Sequence, residues 1–174
     1  MFNTSDNNFI KNLNKLLSYT HDIKRNISKS YTKGAMALCV SDNAKIGVDI
    51  EQKIKRSLGT MEHFVQKFRT FQIKNIPPQI NERWFYTAWT GMESYFKLDG
   101  AGFGAAKDFI LDIQNQSVWR GSKEIAWMEY FELNNYIFCI CSNTKFLKQD
   151  VQLNFYGWEG YGEKLSSDFL GSGF

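Results

Sequence analysis

The chain is short of cysteine, proline and histidine, and each shortage removes a class of protein. Its three cysteines are Cys39, Cys139 and Cys141. They are odd in number, lie in apolar strand-like runs and have no histidine at metal-ligand spacing, so buried free thiols are expected. The two histidines, His21 and His63, are isolated and carry no assigned role. The only prolines, Pro77 and Pro78, are adjacent, which sets a single boundary after which a new element starts. There is no apolar run long enough to span a bilayer, and Met1 to Lys11 has no signal-peptide pattern. These two absences argue against a membrane and place the chain by default in the cytoplasm. A net charge of +3 is too small to point to nucleic acid. No internal repeat and no second domain are evident, so the 174 residues read as one domain, 1–174, with enough length to bury a core.

What is present centres on Lys45-Ile46-Gly47-Val48-Asp49-Ile50-Glu51-Gln52. Ile46, Val48 and Ile50 alternate with small or acidic residues, which is the period of a β-strand. Gly47, Asp49 and Glu51 therefore share one face. Two carboxylates so close repel each other unless they are solvated, share a proton or meet a cation. Mg²⁺ takes oxygen ligands of this kind and keeps waters for a phosphate-bearing substrate. Spacing alone slightly favours a solvated acidic strand end.

A second stretch shifts that balance. Trp89-Thr90-Gly91-Met92-Glu93-Ser94-Tyr95-Phe96-Lys97 lies in a helical segment and is followed by Gly100-Ala101-Gly102-Phe103-Gly104. Together the two stretches resemble the signatures of the 4′-phosphopantetheinyl transferases. One signature is a G-[VI]-D-[IV]-E strand. The other, some forty residues on, is a W-[ST]-x-K-E-[AS]-x-x-K helix that ends in a Gly-rich turn. The first matches fully. The second matches at Trp89, Thr90, Glu93, Ser94 and Lys97, and Met92 stands where the family has lysine. The resemblance spans roughly residues 26 to 142 and is nearest to the second half of the two-lobed Sfp-like members. Residues 1–25 and 145–174 lie outside it.

In chain order, Phe9 to Leu17 has the spacing of a short amphipathic helix. Ala35 to Val40 reads as a strand, joined through the turn at Ser41 to Ala44 to the Ile46 strand as a hairpin. Met61, Phe64, Val65 and Phe68 follow a helical period, and a second short helix is expected over 71–75. Asn81 is a candidate N-cap for a long helix to about Leu98, with Trp84, Phe85, Ala88, Trp89, Met92 and Phe96 as its apolar stripe. Glu93 and Lys97 stand four apart, the spacing of an ordinary surface ion pair. Gly100 to Gly104 ends the helix as a C-cap, and such a turn can also bring N–H groups to a phosphate. Strands follow at 109–113, 117–120, 125–131 and 136–142, with Asn134-Asn135 as a hairpin turn. A further strand is expected near 151–156. The fold class is α+β, an antiparallel sheet packed on the long helix.

The resemblance implies an enzyme that moves the 4′-phosphopantetheine group from coenzyme A to a serine of an acyl or peptidyl carrier protein. It implies Mg²⁺ held by Asp49, Glu51 and Glu93, with Glu51, Glu93 and Lys97 in catalysis and Lys97 near the phosphates. A segment like N-I-S-H-S precedes the first signature in the family, and its histidine helps hold coenzyme A. Lys29 stands there in this chain and is the second candidate coenzyme A contact. At Gln72 the family pattern has a glutamate, a candidate base. Much of the first lobe is missing, and the short synthases of the superfamily complete their sites between subunits, so a homo-oligomer is expected. The departures at Lys29, Gln72 and Met92 carry a second reading: a transferase-like protein that binds coenzyme A or a carrier protein without turnover. A third is an α+β domain whose acids are merely solvated.

Overall fold

The computed structural model describes residues 25–67, 72–100, 109–151, 155–156 and 162–163. The chain opens with strands β1 (Asn26–Thr32), β2 (Ala35–Ser41) and β3 (Ile46–Gln52), then helix α1 (Leu58–Lys67) and the two-residue strand β4 (Gln72–Ile73). Helix α2 (Glu82–Asp99) follows, then β5 (Ile110–Asp112), β6 (Ser117–Arg120), β7 (Lys123–Leu133) and β8 (Tyr136–Ser142). A 3-10 turn at Lys148–Asp150 and a small ladder of β9 (Phe155–Tyr156) with β10 (Gly162–Glu163) complete the described elements. Six strands form one sheet in the order β3-β8-β7-β6-β5-β4. Its pairs are antiparallel except β4 with β5 at one edge.

Helix α2 forms where its caps direct. Asn81 Oδ1 accepts from the Trp84 N–H at 2.8 Å, which satisfies one of the orphan donors of the first turn. Gly100 at φ 74° takes the left-handed conformation, and its N–H donates to the Phe96 carbonyl. The helix lies on the sheet over the main core. Phe85, Ala88, Met92, Tyr95 and Phe96 from α2 meet Ala126, Met128 and Tyr130 from β7 and Ile137, Cys139 and Cys141 from β8. The alternate residues of β8, Phe138 and Ile140, join Val48, Ile50 and Phe131 in a second cluster on the opposite face. Cys39, Cys139 and Cys141 are free thiols, and Cys139 and Cys141 are buried as expected, whereas Cys39 is only half-buried.

Three expectations are corrected. β2 does not pair with β3; it pairs with β1 around Gly34, whose φ of 76° makes the tight turn. Ala35, Ala37 and Cys39 instead pack over the cluster of Val48 and Ile50, so β2 covers a face of the sheet rather than extending its edge. Gln72 is on strand β4, not at the start of a helix, because that backbone pairs in parallel with Ile110 and Leu111. Val151 closes the 3-10 turn instead of opening the strand expected near 151–156; β9 falls at the far end of that range, and residues 152–154 lie outside the described residues. The helix expected at Phe9 to Leu17 and the glycine-rich residues 101–104 lie outside the described residues.

One contact sets the spacing between sheet and helix. A Cβ on Gly47 would collide with the carbonyl oxygen of Ser94 and stand 2.7 Å from the backbone nitrogen of Leu98. β3 and α2 therefore touch backbone to backbone, with Ser94 fully buried at the crossing. Only glycine on the strand and a small residue on the helix allow this approach.

Candidate active site

From that crossing β3 runs past α2 in the opposite direction, so successive residues on its helix-facing side meet successive turns of α2. Asp49 meets Lys97, and Glu51 meets Trp89. Asp49, Glu51, Glu93 and Lys97 are thus brought together although the sequence separates them by more than forty positions. The alternation expected for β3 holds, but Asp49 is only 5 % exposed, so the acidic face is not a solvated strand end.

Lys97 does not form the i,i+4 pair with Glu93. Its Nζ donates to Asp49 Oδ1 at 2.7 Å and to Ser30 Oγ at 2.8 Å, and the Ser30 hydroxyl donates to the same Asp49 oxygen at 2.7 Å. Asp49 is almost covered while Lys97 keeps about a third of its side chain exposed, so the pair is a charge-assisted contact at the edge of a cleft. Asp49 Oδ2 is buried and has no hydrogen-bond partner. Glu51 is held from two sides: the Trp89 indole N–H donates to Oε1 at 3.1 Å and Thr32 Oγ1 approaches Oε2 at 3.4 Å. The Glu93 carboxylate makes no hydrogen bond or ion pair among the described residues.

The electrostatics follow from this packing. Burial pushes the Asp49 carboxyl above its ordinary value, and the Lys97 ammonium and the Ser30 hydroxyl pull it part of the way back. Burial raises Glu51 as well, the Asp49 charge adds to that, and the Trp89 and Thr32 hydrogen bonds oppose it. Glu93 is pushed up to about 7, first by burial and then by the charge of Asp49, with Lys97 opposing and Glu51 adding. Three acids that all resist ionisation form a site short of positive charge.

That shortage fits a hard cation. The donor set is all oxygen, and the unpartnered Asp49 Oδ2 is a buried acceptor of the kind such an ion satisfies. The carboxylates share one electrostatic field but do not converge on one point: among the described residues no three of His, Cys, Asp and Glu stand together as a coordination group.

The remaining candidates are placed elsewhere. Lys29 is on the outward face of β1, opposite Ser28 and Ser30, with its ammonium 6.0 Å from the Tyr31 ring, so the fold does not bring it to the carboxylates. Met92 is fully buried in the main core. The side chain of Gln72 lies outside the described residues. Sequence reasoning missed four contributors: Ser30 and Thr32 on β1, the Trp89 indole as a donor to Glu51, and the Gly47–Ser94 crossing. The alternating hydroxyls of Ser28, Ser30 and Thr32 were a readable signal, since period-2 residues on a strand share a face.

The model of the 4′-phosphopantetheinyl transferase superfamily matches residues 45–146, more than half of the chain. No curated protein matches the sequence significantly. No described helix is long and apolar enough to cross a membrane. The matched segment begins just before β3 and takes in α2, so it contains both signatures and all four charged groups of the site. On that match, and on a mixed α+β fold with the acidic strand laid against the signature helix, the chain belongs to the 4′-phosphopantetheinyl transferase superfamily.

Proposed function

We propose that this chain transfers the 4′-phosphopantetheine group of coenzyme A to a serine of an acyl or peptidyl carrier protein, with Mg²⁺. The observation that carries the reading is the Asp49–Glu51 face of β3 held against Glu93 and Lys97 of α2, with Lys97 bonded across to Asp49. Of the expected set Asp49, Glu51 and Glu93, the two acids of β3 would hold the metal, since the three do not converge on one point. When bound, the metal offsets the charge of the pyrophosphate.

The protein's own groups have separable tasks. Lys97 keeps part of its side chain exposed and has two of its three N–H donors engaged by Asp49 and Ser30, which leaves one for a phosphate oxygen. Glu51 is already engaged by Trp89 and Thr32, whereas the Glu93 carboxyl has no hydrogen bond among the described residues and is pushed up to about 7 by burial and the Asp49 charge. Glu93 is therefore the group that takes the serine proton, since a base works best with a pKa near the working pH. The serine oxygen forms a bond to the β-phosphorus, the bond from that phosphorus to the bridging oxygen breaks, and adenosine 3′,5′-bisphosphate leaves. Lys97 offsets negative charge as it develops on the phosphate oxygens. Lys29, exposed on β1, is a candidate for the outlying 3′-phosphate, where a lysine acts as a point charge.

Incubation with coenzyme A, Mg²⁺ and a panel of apo carrier proteins tests the reading by mass spectrometry. The expected result is a carrier heavier by one phosphopantetheine group. No mass gain on any carrier, together with no stabilisation by coenzyme A and Mg²⁺ in thermal unfolding, would sink it. A second reading is favoured by the full burial of Met92 where the family signature has lysine: the chain binds coenzyme A or a carrier protein without turnover. Stabilisation by coenzyme A with no mass gain distinguishes that case.

A further inference from the structure

Strand β1 is hydrogen-bonded to β2 and is not a member of the six-stranded sheet, yet it lies along the free edge of β3. Its backbone does not make that junction; three hydroxyls do. Ser28 Oγ accepts from the Val48 N–H at 2.9 Å and Thr32 Oγ1 accepts from the Gln52 N–H at 3.3 Å. Between them, Ser30 departs from the pattern. Its hydroxyl is spent on no backbone group of β3 and goes to the charged side chains of the site.

The Ser30 hydroxyl has one proton, given to Asp49 Oδ1, and its lone pair accepts from Lys97 Nζ, which donates to that same Asp49 oxygen. The three atoms close a ring. A lysine stem has four rotatable bonds and many rotamers, so an ion pair with one carboxylate leaves its ammonium loosely placed. The second acceptor removes that freedom. Ser30 is 5 % exposed and stands opposite Ala37 of β2, and it lies outside the residues matched by the family model.

We propose that Ser30 is a positioning residue of this site: it fixes the Lys97 ammonium against Asp49 so that one N–H remains for an anionic substrate group. The statement about the anion rests on the transferase reading; the fixing of Lys97 does not.

The test is the ¹⁵N–¹H correlation spectrum of the lysine ammonium groups, with Lys97 identified by the signal that disappears in Lys97→Met. In the unsubstituted chain the Lys97 ammonium should give a resolved, slowly exchanging signal. Ser30→Ala should lose it and Ser30→Thr should keep it. If Ser30→Ala does not fold, Ser30→Cys, with similar volume and a weak donor, takes its place. In turnover with coenzyme A and a carrier protein, Ser30→Ala should lower kcat roughly tenfold to hundredfold, the range for a hydrogen bond to a charged group. The KM for the carrier protein should stay unchanged, and Ser30→Thr should restore the rate. A Lys97 signal that persists in folded Ser30→Ala, or is absent from the unsubstituted chain, overturns the proposal. A signal that behaves as expected in a chain that transfers nothing leaves the positioning role standing and rejects the transferase reading.

Discussion

Replacing Glu93 by glutamine should make the metal-free protein more stable at neutral pH, although it removes a group of the candidate site. The Glu93 carboxyl moves from 4.5 to about 7 on folding. Between these values the folded state holds a proton that the unfolded chain has released, so stability is present in full below the lower value and is lost as pH rises through the upper one. At roughly 1.4 kcal/mol per unit the ceiling is about 3 kcal/mol. Glu93 is partly exposed, and screening by solvent reduces that to about 1–2 kcal/mol. Glu93→Gln carries no charge in either state, so this part of the pH dependence should vanish. Part of the slope left over comes from Asp49 and Glu51, which are raised too. Urea unfolding at pH 5 and pH 7.5, with and without Mg²⁺, measures it. The unsubstituted chain should lose stability between the two pH values and regain it with Mg²⁺, which favours ionised carboxylates. Glu93→Gln should lose less and respond less to the ion. With a carrier protein as acceptor, its rate should fall by about 10² to 10⁴, the usual loss when a general base is removed. An identical pH dependence in Glu93→Gln and the unsubstituted chain would falsify the assignment of the shift to this residue.

Other substitutions examine separate parts of the molecule. Gly47→Ala places a methyl group against the Ser94 carbonyl and should cost about 3 kcal/mol or prevent folding, read from urea midpoints; a loss under about 1 kcal/mol would mean that β3 and α2 do not touch there. The family signature invites Met92→Lys as a way to tighten coenzyme A binding, but Met92 is fully buried, so the change should destabilise the fold by several kcal/mol without adding a phosphate contact. Calorimetric titration with coenzyme A in that variant decides between the two. Asp49→Ala should weaken Mg²⁺-dependent coenzyme A binding, measured by calorimetry, and unchanged affinity removes Asp49 from the site. Ile27, Tyr31 and Val40 are exposed on the outer face of the β1–β2 hairpin, and we predict a homo-oligomer. Light scattering should give a mass above the 20.2 kDa of one chain, and that monomer mass with and without ligand rules the assembly out.

Local pattern carried much of the fold. The alternation through β3, the caps Asn81 and Gly100 of α2, and the Asn134-Asn135 turn between β7 and β8 are all decided by residues within a few positions of one another. Such choices depend on backbone sterics and capping hydrogen bonds, which a sequence displays directly. Strand pairing is another matter. Ala35 to Ser41 reads as a strand in isolation, but which neighbour it takes depends on where Val48 and Ile50 need cover. Gln72 and Ile73 read as helix in isolation because a two-residue parallel pairing with β5 leaves no periodic trace.

The site divides in the same way. Asp49, Glu51, Glu93 and Lys97 are legible through the resemblance of their two stretches to the family signatures, because spacing alone reads as a solvated strand end and an ordinary helical ion pair. The sequence by itself settled that β3 has an acidic face and that Glu93 and Lys97 share a helix flank. Only the tertiary structure decided that Lys97 turns away from Glu93 to Asp49, that Trp89 and Thr32 hold Glu51, and that Ser30 joins the pair. The reason is physical: burial sets the cost of each charge, and burial arises only when β1, β3 and α2 close on one another. An exposed Glu93–Lys97 pair would be worth a few tenths of a kcal/mol. Enclosed beside two further carboxylates, Lys97 goes to the acid that is most deeply buried.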